Sequence, residues 1–286
     1  MDRQHLLSFI RYEAKLLSRE WNFKCMSVLS VMAVTALHLL YQSNFNQPVW
    51  ASISLASTIP YANAYFINYI QTFIAIFLAG RFLFQKKSSD TTDAIRIRPY
   101  TNTEYLWGKT FGFIFLILIL DGILMCIAIL IHLFASESPW DFYPYFFYFF
   151  TLPLPSLLFI TGLTIILKSL FRRQKIALLI LCIIFYWEIT QASRFLHGGF
   201  DLFSSSLPNM FSEWTGFSAL GLYLMQRSIF LLWGIGFLFL SIRLLLRLSD
   251  KQKFGNYFSF VGILLILLGI ISVWQYNASF HQQQLA

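Results

Sequence analysis

Two acidic residues inside long apolar runs are the groups best placed to do chemistry in this chain. Asp121 lies within the apolar run 111–134, and Glu188 lies toward the far end of the run 176–190. Asp121 stands about 12 residues from Lys109 and about 13 from Phe134, near the middle of a membrane span at about 1.5 Å per residue. A charged carboxylate at that depth costs about 2.5 kcal/mol or more, so it should face protein or water. Two readings stay open. Asp121 can belong to a substrate path or proton relay, or it can be a protonated or hydrogen-bonded acid between packed helices, bonded to Asn68 or Gln71. Asn68 and Gln71 are three residues apart and share one helical face. Such amides bond neighbouring helices or contact a substrate. Asn68, Gln71 and Asp121 therefore form the candidate pathway set, and Glu188 reads as an interfacial, structural acid.

Other chemistries lack their residues. There is no GxxxxGK[ST] loop to cradle nucleotide phosphates and no HExxH pair. His5, His38, His132, His197 and His281 are scattered without metal-ligand spacing, and Gly80-Arg81 and Gly198-Gly199 are not a dinucleotide fingerprint. Cys25, Cys126 and Cys182 are odd in number, show no CxxC spacing and read as small apolar filler. No catalytic residue, metal site or cofactor site is expected on this chain. An intramembrane enzyme built on Asp121 or Glu188 would lack a second acid or a Ser/His pair. An ion-coupled secondary transporter with Asp121 as its proton or cation site remains an alternative, although no inverted repeat is visible.

The elements that must hold these residues are membrane spans. The chain has 286 residues, 57% hydrophobic and only 12% charged, against about 25% charged in an average soluble domain. Repeated apolar runs near span length make it an all-α polytopic membrane protein. Seven spans are predicted, at 23–41, 62–84, 111–134, 145–167, 176–190, 228–246 and 254–273, followed by a short polar tail. Residues 3–20 form an amphipathic helix, with Leu6, Leu7, Ile10, Leu17 and Trp21 near one face, suited to the headgroup layer. Its charged residues argue against a cleavable signal. Segment 191–227 is too polar to span and too aromatic for a solvated loop, so it is expected to dip into the outer leaflet as short re-entrant helices. Gly216, Gly221, Gly234, Gly236, Gly262 and Gly269 are expected to let helices approach closely.

The net charge of +8 first raises nucleic acid as a partner, but the basic residues flank apolar spans instead of forming a stripe. Segments 1–24, 81–109, 168–175 and 243–253 hold nineteen of the 21 Lys and Arg, leaving only Arg194 and Arg227 elsewhere. Alternating spans put all four rich segments on one side. That side is predicted to be the cytoplasm, with the N-terminus inside and the C-terminus outside. Segment 85–109 is the largest of these basic loops. Ser88, Ser89 and Asp90 can cap a short helix that runs to Ile97 and stops before Pro99. Thr101-Asn102-Thr103-Glu104 then reads as a capping box opening the third span.

The run Arg98-Pro99-Tyr100-Thr101-Asn102-Thr103-Glu104-Tyr105-Leu106-Trp107-Gly108-Lys109, with Asp90-Thr91-Thr92-Asp93-Ala94-Ile95 upstream, resembles the permease subunit of ABC-2 type ABC transporters. The layout over residues 3–247 is similar too. The resemblance implies an exporter-like bundle of six transmembrane helices plus a seventh in a bacterial inner membrane, and one transmembrane permease domain across 1–286. It implies a separate ABC ATPase subunit that binds ATP and magnesium, and pairing of two permeases as a homodimer or heterodimer. The helix 90–97 would be the coupling helix, so that Asp90, Thr91, Asp93, Ile95, Arg96, Arg98 and Glu104 would meet the ATPase. The cargo implied is a lipid-linked sugar, lipid, peptide, drug or ion.

Overall fold

A computed structural model describes residues 3–42, 57–82, 102–135, 139–171, 174–212, 214–244 and 253–285. The helices are α1 (Arg3–Arg19), α2 (Trp21–Gln42), α3 (Thr58–Phe82), α4 (Asn102–Ala135), α5 (Phe142–Thr151), α6 (Pro153–Leu170), α7 (Gln174–Thr190), α8 (Leu220–Leu244) and α9 (Lys253–Leu285). A 3-10 turn at Phe195–Gly198 and a minimal antiparallel pair, β1 (Phe211–Ser212) with β2 (Gly216–Phe217), lie between α7 and α8. Among the described residues, six helical stretches are long and apolar enough to cross a membrane: α2, α3, α4, α5 with α6, α8 and α9. The apolar helix α7 is 17 residues long and packs beside α3 and α6. The protein is an all-α, multi-pass membrane protein.

Local sequence explains the helix boundaries. Pro60 sits in the first turn of α3, where its missing N–H would have had no partner. Asp141 caps α5, its carboxylate accepting from Tyr143 N at 3.0 Å. The predicted fourth span is two helices, because Pro153 and Pro155 remove two successive ladder donors and the chain turns at Leu152. At the other extreme, the predicted span 254–273 continues to Leu285, so the expected polar tail is helical.

Glycines set how closely the helices pack. A Cβ on Gly162 would meet Gly234 O at 2.7 Å, and one on Gly234 would meet Phe159 N at 2.6 Å, so α6 and α8 touch backbone to backbone. Gly236 and Gly262 do the same between α8 and α9, and Gly269 receives the Trp233 indole. Gly216 and Gly221 face open space, contrary to expectation. Gly216 instead serves a positive φ of 69° where β2 begins.

The bundle has two unlike ends. At one end, Gly108 and Gly112 of α4 take Phe9, Ile10 and Ala14 of α1 in direct contact. The buried stripe of α1 is therefore Glu13, Ala14 and Leu17, while Leu7 and Trp21, expected with Leu17 on a face in the headgroup layer, are 55% and 76% exposed. At the opposite end residues 191–219 fold into a cap. Where short re-entrant helices were expected, its described residues form a 3-10 turn, bends and the β1–β2 pair, and buried side chains from the spans meet several of its backbone polar groups. Helix α8 begins at Leu220 beneath it, eight residues before the predicted span. The far end of α9 reaches the cap, where Val273 and Tyr276 pack with Leu222 and Ile229. The outward stripes stay apolar, as lipid requires: Phe115, Ile119 and Ile123 of α4 are exposed, as are Ile263, Leu267 and Ile270 of α9.

Candidate functional site

The bonds that fasten the cap to the bundle converge on the backbone of Leu202. Its carbonyl accepts from Arg227 Nη1 at 2.7 Å, from Ser156 Oγ at 3.2 Å and from Asn68 Nδ2 at 3.4 Å. Its N–H donates to Glu188 Oε2 at 3.0 Å. One residue thus ties α3, α6, α7 and α8 together. Arg227 reaches further, donating through Nη2 to Asp201 O at 2.6 Å and to Gln226 Oε1 at 2.7 Å. Gln226 Nε2 donates to Gly198 O at 2.6 Å, and Ser204 Oγ donates to Gln226 Oε1 at 3.0 Å.

Asp201 shapes the loop from within. Its Oδ1 accepts from Phe203 N at 3.0 Å, and its Oδ2 accepts from Ser205 Oγ at 2.9 Å and Ser206 N at 2.7 Å. Ser204 is held at a φ of 61°, in the left-handed region, at a cost of roughly 1–2 kcal/mol. Its carbonyl is caught by Tyr61 OH at 2.6 Å. Tyr148 OH donates to Asn209 O at 2.5 Å, and Ser57 Oγ donates to Phe211 O at 2.9 Å. Phe203 stacks on Tyr69 with ring centroids 3.8 Å apart and planes 9° from parallel. Asp201, Glu188 and Arg227 are all buried. Most of their hydrogen bonds go to the chain's own backbone, which is what a buried charge needs in a low-dielectric setting, while Arg227 Nε has no partner among the described residues. The cap is a lock on the helix ends. Among the described residues no group of three His, Cys, Asp or Glu could hold a metal ion.

The predicted pathway residues are buried but separate. Gln71 Nε2 donates to Pro153 O at 2.8 Å, and Asn68 joins the Leu202 node, so neither amide bonds Asp121. The reading in which Asp121 bonds Asn68 or Gln71 is therefore not what is found: each amide donates to a backbone carbonyl, of Leu202 and of Pro153. Asp121 is 1% exposed and shares the inward stripe of α4 with Ile117, Leu124 and Ala128. Its Oδ2 has no hydrogen-bond partner among the described residues, and the same holds for Asn68 Oδ1 and Gln71 Oε1. Glu104 lies in the first turn of α4, while Asp90, Thr91, Asp93, Ile95, Arg96, Arg98 and the capping-box Thr101 lie outside the described residues.

Arg227, Asp201, Gln226 and Ser156 were not singled out from the sequence as site residues, and Arg227 was counted only as an outer charge. A lone Arg at the predicted start of a span, 26 positions after an Asp in an aromatic segment, was the only available signal. Glu188, read from its position as an interfacial acid, is buried and accepts from the Leu202 amide. Glu188→Leu strands the buried Leu202 amide and should cost about 1–3 kcal/mol, whereas Glu188→Gln keeps an acceptor and should melt within a few degrees of the parent. Thermal melting of the detergent-solubilised protein checks both. No protein-family model matches the chain, and no curated protein matches it, so the functional reading rests on these residues and their geometry.

Proposed function

We propose that this chain is the membrane-spanning permease subunit of an ABC-2 type, ATP-driven transporter of a bacterial inner membrane. The observation that carries the reading is the arrangement at the end opposite the cap. There α1 is seated on the opening turns of α4, directly after the basic segment with Arg96 and Arg98. A separate ABC ATPase would dock on helix 90–97 and on Glu104, supplying the ATP and magnesium chemistry that this chain has no motif for. Two permeases, alike or different, would enclose the pathway. ATP binding would favour one of two arrangements of the spans by differential affinity, and the Leu202 node would hold the outer ends of the spans through that change.

Co-purification with an ATPase encoded beside this chain tests the proposal. Arg96→Glu with Arg98→Glu should weaken the complex by on the order of tenfold or more and lower coupled ATP hydrolysis. A stable, transport-active chain that binds no ATPase would sink it. The unpartnered Asp121 Oδ2 favours a second reading, an ion-coupled transporter. In that case Asp121→Asn abolishes gradient-driven transport without any ATPase present. Under the permease reading with Asp121 as packing, the same variant leaves ATP-driven transport intact.

A further inference from the structure

Helix α1 has two faces. One is pressed onto α4, where Gly108 and Gly112 admit Phe9, Ile10 and Ala14. The other carries Arg11, Lys15 and Arg19, all exposed, spaced four apart and so within about 80° around the axis. Lys24, in the first turns of α2, is exposed as well. The acids of this region do not offset the row on the surface: Glu13 is buried on the α4 side and Glu20 is only partly exposed. None of the four cations forms an ion pair among the described residues.

The row is held at the height of the membrane surface. α1 ends at Arg19, and the span α2 begins at Trp21, leaving one residue between them. Apolar and aromatic side chains border the cations: Leu7 is 55% exposed, Tyr12 54% and Trp21 76%. Basic residues in the middle of an otherwise apolar, aromatic-flanked face suit the boundary between headgroups and acyl chains. An acidic protein surface would complement the charges but would leave Leu7 and Trp21 without a reason to be uncovered beside the entry point of a span.

We propose that Arg11, Lys15, Arg19 and Lys24 form a binding surface for anionic phospholipid headgroups, with Trp21 set in the adjoining interface. The surface requires only that α2 enters the bilayer at Trp21 and is independent of any ATPase partner. Because α1 is fixed to α4, lipid charge would act on the helix that follows segment 85–101.

The test uses the full chain in phosphatidylcholine vesicles containing either phosphatidylcholine or phosphatidylglycerol brominated near the headgroup. The chain has eight Trp, so Trp21 emission is taken as the difference between the parent and Trp21→Phe. Brominated phosphatidylglycerol should quench Trp21 more strongly than the zwitterionic lipid. Each cation removed should lower that preference roughly fivefold, so Arg11→Gln with Lys15→Gln should remove most of it while melting like the parent. About 1 M salt, with a Debye length of about 3 Å, should do the same. Equal quenching by the two lipids overturns the proposal, as does a preference that survives the double variant. Absence of lipid preference together with loss of a co-purifying acidic protein from the double variant also overturns it, in favour of a protein partner. If the double variant fails to fold, the salt series on the parent decides alone.

Discussion

Arg227→Ala lowers the melting temperature of the detergent-solubilised protein by on the order of 10 °C. The guanidinium is 3% exposed and serves the carbonyls of Asp201 and Leu202 and the amide oxygen of Gln226. Hydrogen bonds to a charged donor are worth about 1.5–3 kcal/mol each, and breaking a buried ionic site costs about 3–5 kcal/mol. The side chain also lies over Phe230, with Cζ 5.3 Å from the ring centroid, so truncation opens space as well. Arg227→Lys keeps the charge but cannot span both carbonyls with one ammonium, and should fall between parent and alanine. Arg194→Ala, at an exposed position on the same side of the bundle, should be silent. The melting temperature followed by aggregation or by a thiol-reactive dye reads all three. An alanine variant within about 2 °C of the parent, less than one kcal/mol by the same scale, would show that the Leu202 node does not hold the cap.

Gly234→Leu is the second large effect. The new Cβ would stand 2.6 Å from Phe159 N and 2.7 Å from Leu158 C, which are backbone atoms and cannot rotate aside. Helices α6 and α8 must then separate along their closest contact, and the cap bonds that Ser156 and Arg227 make from those helices would be strained as well. Overpacking costs about 1–3 kcal/mol where side chains can shift. A backbone clash belongs at the upper end or above, so loss of folded yield on size-exclusion chromatography is expected. Gly221→Ala is the matched control. Its Cβ meets nothing within 4 Å, and alanine is the better helix former by roughly 0.5–1 kcal/mol, so that variant should be neutral or slightly more stable. Equal behaviour of the two variants would contradict the close α6–α8 contact.

Much of the frame was legible before any fold was known. The spans announced themselves because hydropathy is a local property and a bilayer demands about 20 apolar residues at a time. Asp121 was recognised for the same reason as an acid that should face protein or water, and Asn68 and Gln71 as polar groups sharing one helical face. The expected glycine contacts held at Gly234, Gly236, Gly262 and Gly269, all within spans, and failed at Gly216 and Gly221. A glycine's sequence neighbours do not say whether it faces a helix or a gap. The amphipathic character of α1 was plain, but not how its apolar residues divide: Leu17 packs inside the protein, while Leu7 and Trp21 stay exposed.

The amino-acid order by itself determined the helical class, the apolar runs that become membrane-length helices and the clustering of cations along the chain. Each of these follows from sums over neighbouring residues. Only the tertiary structure decided what Asp121 does not touch, and that Arg227, Glu188, Ser156 and Asn68 all meet at Leu202. Those partners lie between 14 and 134 positions from Leu202 in the chain. What joins them is a loop whose unpaired backbone groups, buried under the cap, had to be satisfied by whichever polar side chains the packed helices brought within reach.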